Sequence, residues 1–234
     1  MNFIPTISKI FSIILVTILL NFVILFPTSL FACTSFGICK DNHIVVGKNL
    51  DWFCKDAWLA VNKRNVTKKA FLLLPFTSQL TWTSKYGSIT FISNSLGIPS
   101  GGMNEAGLVI EESWLNSTQY PEPNSRPLIT EIQWIQYQLD NCSTIEEVIK
   151  TDETLCIKSY TGLSHYFVYD RTGKAAVIEF ISGKMVAHVL DRNDVQVITN
   201  NTYTSSENYL KNCNCFSDEQ NIANSATGSL ECYN

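Results

Sequence analysis

The sequence predicts an α+β fold of mainly antiparallel sheets around a short helical region. Three observations carry this. β-type runs occur both early and late in the chain after residue 33, a stretch of helical period lies between them, and most links between runs are too short for parallel crossovers. With 45% apolar and 12% aromatic residues in 234, the chain can fill a core, which excludes whole-chain disorder.

The elements follow in order. Residues 33–38 and 43–52 are β-type runs separated by Lys40-Asp41-Asn42, which reads as a hairpin. Residues 57–63, 70–74, 87–93 and 107–114 continue in the same style, rich in Val, Ile, Thr and aromatics, and predict one antiparallel sheet with the hairpin. Pro121, Pro123 and Pro127 mark a change of regime. A helix is predicted over 128–139, where Ile129, Ile132, Ile135 and Leu139 recur near helical period. Ser143-Thr-Ile-Glu146 then fits a capping box ahead of a second helix ending near Lys150. A second sheet is predicted from 164–169, 175–181, 184–190 and 195–199, with Arg171-Thr172-Gly173-Lys174 as a hairpin turn. The helices are expected to cover one sheet while the two sheets face each other. Neither repeat nor linker divides residues 33–234, so they read as one domain.

Residues 1–32 are set apart. No charged residue occurs from 10 to 33, residues 10–26 are largely apolar, and Lys9 gives a positive flank, so the segment reads as a secretory signal and the protein as exported, periplasmic or secreted. The apolar run is also long enough for an uncleaved anchor. Lys plus Arg number 17 against 21 Asp plus Glu, a net charge of −4 with no basic block, so nothing points to nucleic acid. All eight cysteines lie at or beyond residue 33, but their spacing does not fix disulfide connectivity. Cys213-Asn-Cys215, even with His188, lacks zinc-ligand spacing.

The informative chemistry is at Ala32-Cys33. Cleavage there leaves a thiol and a free α-amine on one residue, with ordinary pKa values of about 8.5 and about 7.7–8.0, so nucleophile and proton acceptor are both poised near neutrality. Lys48 and Asp51 in GKNLDW (47–52) are candidates to support thiolate and amine, but residues three apart face opposite ways on an ideal strand. Other readings stay open. Leu30-Phe31-Ala32-Cys33 is a passable lipobox, whose lipidation consumes both amine and sulfur; Lys48 and Asp51 form an ordinary surface pair; Asn200 serves a turn or caps residues 202–210. Trp82 and Trp114 read as core, and Asn104 as a turn residue with Gly101, Gly102 and Gly107 giving backbone freedom. Asn65, Asn116, Asn141 and Asn200 lie in Asn-x-Ser/Thr sequons.

Cys33-Thr-Ser-Phe, GKNLDW, WTSKYGSITF (82–91), PSGGMNEAGL (99–108), HYFVYDRTGKAAVIEF (165–180) and VITNNTY (197–203), in that order, resemble the choloylglycine hydrolase and penicillin V acylase family. These are linear-amide C-N hydrolases of the N-terminal-nucleophile superfamily. The resemblance implies an αββα sandwich, Cys33 as nucleophile with its own α-amine as base, and Asp51 as the carboxylate that orients that amine. It implies Asn200 as an oxyanion-hole side chain and a second oxyanion donor near Trp114. Lys48 stands where many members carry Arg, keeping the charge and losing the planar fork. The implied partner is a small acyl amide; the reaction needs no metal or organic cofactor. A homo-oligomer is implied too, with membrane contact only through the signal segment or a lipid anchor. Members generally continue past Ser229-Leu230-Glu231, so the chain reads as C-terminally truncated. An inactive remnant is therefore the competing expectation.

Overall fold

The computed structural model describes residues 33–40, 43–51, 57–71, 80–92, 98–160, 162–192 and 194–212. Strands β1 (Cys33–Lys40) and β2 (His43–Leu50) form the first hairpin, followed by β3 (Trp58–Asn62), β4 (Thr67–Lys69), β5 (Thr81–Thr83), β6 (Ser88–Ile92), β7 (Pro99–Asn104) and β8 (Val109–Trp114). The central region holds β9 (Leu128–Thr130), helix α1 (Glu131–Asn141), helix α2 (Ile145–Lys150), a 3₁₀ turn (Thr151–Glu153) and β10 (Cys156–Lys158). β11 (Ser164–Tyr169), β12 (Ala175–Ile181), β13 (Lys184–Leu190), β14 (Val197–Ile198) and helix α3 (Tyr203–Asn212) complete the described fold.

The principal sheet has seven strands in the order β13-β12-β11-β8-β7-β6-β3, all paired antiparallel. A smaller sheet has the order β14-β1-β2. Period-two alternation explains the layers. In β11, Tyr166 and Val168 point one way, joining Ala176, Ile178 and Phe180 of β12 against Trp134, Ile135 and Leu139 of α1. Phe167, Tyr169, Ala175 and Val177 point the other way, toward Ile44 and Val46 of β2 and Ile198 of β14. Helices, large sheet and small sheet are thus stacked layers, an α+β sandwich. Central strands buried on both faces must be apolar nearly throughout, which is why β11 and β12 read so clearly. Trp134 stacks on Tyr166 with ring centroids 4.3 Å apart, a contact worth about 0.5–1.5 kcal/mol beyond its buried area.

Several expectations need correction. The sheets do not divide by sequence order. β8 pairs with β11 across the helical region, while the first hairpin leaves the large sheet and pairs with β14. Helix α1 begins at Glu131, because Leu128–Thr130 is spent as a short parallel strand against Cys156–Lys158. Its buried stripe runs through Glu131, Trp134, Ile135, Gln138 and Leu139. The cap of α2 lies one residue later than expected. Thr144 Oγ1 accepts from Glu147 N at 3.2 Å, and the Glu147 carboxylate accepts from Ser143 N at 2.6 Å.

Ala70 and Phe71 are not in a strand; Thr67–Lys69 is, paired with Thr81–Thr83. PSGGMN (99–104), absent from the expected strands, is one. A Cβ on Gly102 would lie 2.4 Å from Ile89 O, so glycine there permits close strand approach, and of the three glycines expected to free the backbone only Gly107 has positive φ, at 88°. Asn104 serves its turn by accepting from Ala106 N and Leu108 N, and also donates to Leu139 O and Cys142 O at the end of α1. Trp82 is core, its indole donating to buried Asp140 at 2.7 Å. The expected signal segment 1–32, the expected turn residues 41–42, Trp52, residues 72–74, Ser93 and residues 213–234 with Cys213 and Cys215 lie outside the described residues. Among the described residues no helix is long and apolar enough to cross a membrane.

Candidate active site

Four segments meet at the start of β1. In the β1–β2 ladder Cys33 faces Leu50 and Ser35 faces Lys48, so Lys48 lies on the same side of the sheet as Cys33, one non-adjacent pair along. Asp51 follows the last residue of β2, at the strand end that the three-residue spacing demands. β14 pairs with β1 through Ile198 and Ser35, which brings the chain after Thr199 level with Cys33. β8 packs beneath β1 and ends at Trp114.

The Asn200 side chain ties these segments together. Cys33 N donates to Asn200 Oδ1 at 2.6 Å, and Asn200 Nδ2 donates to Trp114 O at 2.7 Å. An N–H on one side and a carbonyl on the other fix which way the amide faces. The amide carries a second N–H, and the Asn200 side chain is among the hydrogen-bonding groups that favour the Cys33 thiolate. Trp114 turns its indole away, donating to Asn116 Oδ1 at 2.6 Å.

Cys33 is buried, 3% exposed. Burial pushes its thiol pKa up; the Lys48 charge, backbone hydrogen bonds from Trp114 and Asp51, and the Asn200 side chain pull it down, and burial prevails. The intact chain therefore favours this sulfur as a thiol, with the Lys48 charge, the Trp114 and Asp51 backbone and the Asn200 side chain opposing that preference. Lys48 is not devoted to the sulfur alone. Its Nζ donates to Ser100 O at 2.8 Å and lies 3.3 Å from Glu111 Oε2, with side chains only 12% and 8% exposed. Burial raises the Glu111 carboxyl while Lys48 opposes the rise.

Of the residues singled out in the sequence, Cys33, Asn200, Trp114 and Lys48 converge. Asp51 joins through its backbone. Its carboxylate is exposed, and among the described residues it makes no hydrogen bond to Cys33 N, which is bonded to Asn200 instead. Asn200 does not cap α3; Thr202 Oγ1 accepts from Ser205 N at 3.3 Å and does so. Among the described residues no group of three His, Cys, Asp or Glu is arranged to hold a metal ion.

The sequence reading missed Glu111, Ser113, His165 and Glu179. The first three line the inner face of the large sheet near β1, and Ser35 Oγ and Ser113 Oγ are buried without a hydrogen-bond partner among the described residues. Their signal was polar residues at alternate positions inside apolar runs, on the same face as Phe167 and Val177.

A model of linear amide C-N hydrolases, choloylglycine hydrolase family, matches residues 33–231. The chain belongs to the choloylglycine hydrolase family. Among relatives, a penicillin V acylase of Pectobacterium atrosepticum is 33% identical over 137 residues, covering 52% of this chain and 36% of that protein. The solved structure of penicillin V acylase from Agrobacterium tumefaciens superposes with a TM-score of 0.66 at 31% identity, over 76% of this chain and 55% of that one. A variant of conjugated bile acid hydrolase from Clostridium perfringens shares the fold, with a TM-score of 0.63 at 22% identity, over 80% of this chain and 59% of that one. The chain thus spans less than two thirds of the length of each of these relatives. Its sandwich of mainly antiparallel sheets is the one these family structures share.

Proposed function

We propose that this chain is an N-terminal cysteine amidohydrolase that cleaves the linear C-N bond of a small acylated amide, exported by a signal segment removed after Ala32. The observation that carries the reading is the convergence on one buried thiol of Lys48, the backbone of Trp114 and Asp51, and Asn200. A family match that starts at Cys33 supports the same mature start.

In the reaction the freed α-amine takes the Cys33 thiol proton. Sulfur attacks the amide carbonyl, and the C–S bond forms as charge gathers on the oxygen, where the free Asn200 N–H and the Trp114 backbone N–H stabilise it. The amine then passes its proton to the leaving nitrogen and the C–N bond breaks. Water, deprotonated by the same amine, hydrolyses the thioester and restores the thiol. Asp51 holds the amine once cleavage frees it from its peptide linkage. The acyl group is apolar, of penicillin V, bile-acid or N-acyl-amine type, as likeness to the family and to a penicillin V acylase supports.

The test is intact mass and N-terminal sequence of the exported protein, followed by turnover of a chromogenic acyl amide by wild type and Cys33→Ala. Free Cys33 and turnover abolished in the variant are expected. A blocked or lipidated residue 33, or a correctly cut protein inert on a broad acyl-amide panel, defeats the proposal and favours the inactive remnant.

A further inference from the structure

Glu179 in β12 is 1% exposed, yet its carboxylate gathers three polar groups from three elements. Oε1 lies 3.3 Å from His165 Nδ1 in β11 and accepts from Tyr203 N in α3 at 2.9 Å; Oε2 lies 3.2 Å from His188 Nε2 in β13. His165 is fully buried, and its Nε2 lies 2.8 Å from Thr199 O. A carbonyl only accepts, so Nε2 carries a hydrogen and donates. Nδ1 faces a Glu179 carboxylate oxygen. Burial alone would raise the Glu179 carboxyl, but the His165 hydrogen bond, the Tyr203 N–H and the charges of His165 and His188 outweigh it and hold the group ionised below its ordinary range.

Stability alone accounts poorly for this arrangement, since a buried ion pair is often no better than apolar packing of the same volume. Its position accounts for it. Thr199 immediately precedes Asn200, and Tyr203 follows three residues later. The loop between them hangs from β14, a strand of only two residues, so little ladder bonding fixes it. One carboxylate therefore grips both flanks of the loop that presents the Asn200 amide to Cys33 N and Trp114 O.

We propose that Glu179, acting through His165 and the Tyr203 N–H, is the positioning residue that sets the Asn200 amide against Cys33. This rests on the reading of Asn200 as an oxyanion donor, but the loop geometry can be read without turnover. The test uses the full chain and four proteins: wild type, Glu179→Gln, Glu179→Met and Glu179→Ala. Glutamine keeps an acceptor oxygen for His165 Nδ1 and Tyr203 N and turns its NH2 to His188 Nε2 with the donor role reversed, while methionine fills the volume without these bonds.

By ¹H–¹⁵N NMR the Asn200 side-chain amide is expected to stay protected in wild type and Glu179→Gln. In Glu179→Met and Glu179→Ala it is expected to shift and lose at least about tenfold protection, while the backbone amides of Tyr166 and Val177 are unchanged. On a chromogenic acyl amide the Met and Ala variants should lose about 10- to 100-fold in kcat with KM within about threefold, the scale of a misplaced catalytic group, and Glu179→Gln should stay within about threefold of wild type.

Unchanged Asn200 signals in Glu179→Met overturn the inference, as does a Glu179→Gln protein that behaves like Glu179→Met. If neither Met nor Ala variant folds, Glu179 is a folding residue and the inference is overturned as well. An inert wild type whose Asn200 amide still depends on Glu179 defeats the proposed activity alone; an active wild type whose Asn200 amide does not depend on Glu179 defeats this inference alone.

Discussion

Removing the Asn200 side chain tests the proposed site most directly, because one amide links Cys33 N to the end of β8. Asn200→Ala deletes bonds of 2.6 Å to Cys33 N and 2.7 Å to Trp114 O. At about 1 kcal/mol net for each, stability should fall by about 2 kcal/mol, and a chain of this size should melt about 4–8 °C lower. Loss of one oxyanion donor should reduce kcat by about 10²- to 10³-fold, equal to about 2.7–4 kcal/mol of barrier. Asn200→Asp separates the roles. It keeps an acceptor for Cys33 N, turns an oxygen toward Trp114 O and sets negative charge beside a thiol that burial already holds up. Its kcat should fall at least as far, with slower alkylation of Cys33. The assays are saturating turnover of a chromogenic acyl amide, thermal melting and timed iodoacetamide labelling. A kcat for Asn200→Ala within about threefold of wild type, in a protein that melts as expected, would refute the oxyanion assignment.

Lys48→Met strands the buried Glu111 carboxylate and should cost about 3–5 kcal/mol in urea unfolding, most of it recovered in Lys48→Met/Glu111→Gln. In the intact chain, labelling of Cys33 should still accelerate as pH rises past the ordinary thiol range, because only the thiolate reacts and burial delays its formation; a plateau below about pH 9 contradicts this. Cys142, its thiol pushed to about 12 by burial, should stay unlabelled at pH 9 in the native protein, as read by peptide mass spectrometry. Both thiols ionise later folded than unfolded, so the stability they contribute is complete below pH 9 and declines as pH climbs toward their raised values. Gly102→Ala drives a Cβ to 2.4 Å from Ile89 O and should cost about 1–3 kcal/mol by thermal melting, whereas at Gly101 the Cβ meets the movable Glu111 carboxylate and disturbs the Lys48 pair more than the fold.

What the sequence made legible follows from where each segment lies. Ser164–Tyr169, Ala175–Ile181 and Lys184–Leu190 were read at their observed bounds, the first two because both faces of those strands are buried and the apolar run is unbroken. Pro99–Asn104 goes unrecognised as a strand because the glycines that let β7 lie close to β6 are also turn residues. Strand partners were the least legible part. Nothing local in Val109–Trp114 says that its neighbour is Ser164–Tyr169, some fifty residues on. At the site, Cys33 and Lys48 are legible from the cleavage junction and the returning strand, whereas the roles of Trp114 and Asn200 come through family likeness at matching positions. Glu179 and His165 were passed over, since a charged residue within an apolar strand announces burial but not the loop it holds.

The bond between Cys33 N and Asn200 Oδ1 spans 167 residues of chain. During synthesis at about 5–20 residues per second, the sulfur waits on the order of ten to thirty seconds before the amide that will escort it exists. No partly made chain can assemble the set of groups described around that sulfur, so the last-arriving loop, rather than the first-made cysteine, times when the centre comes into being.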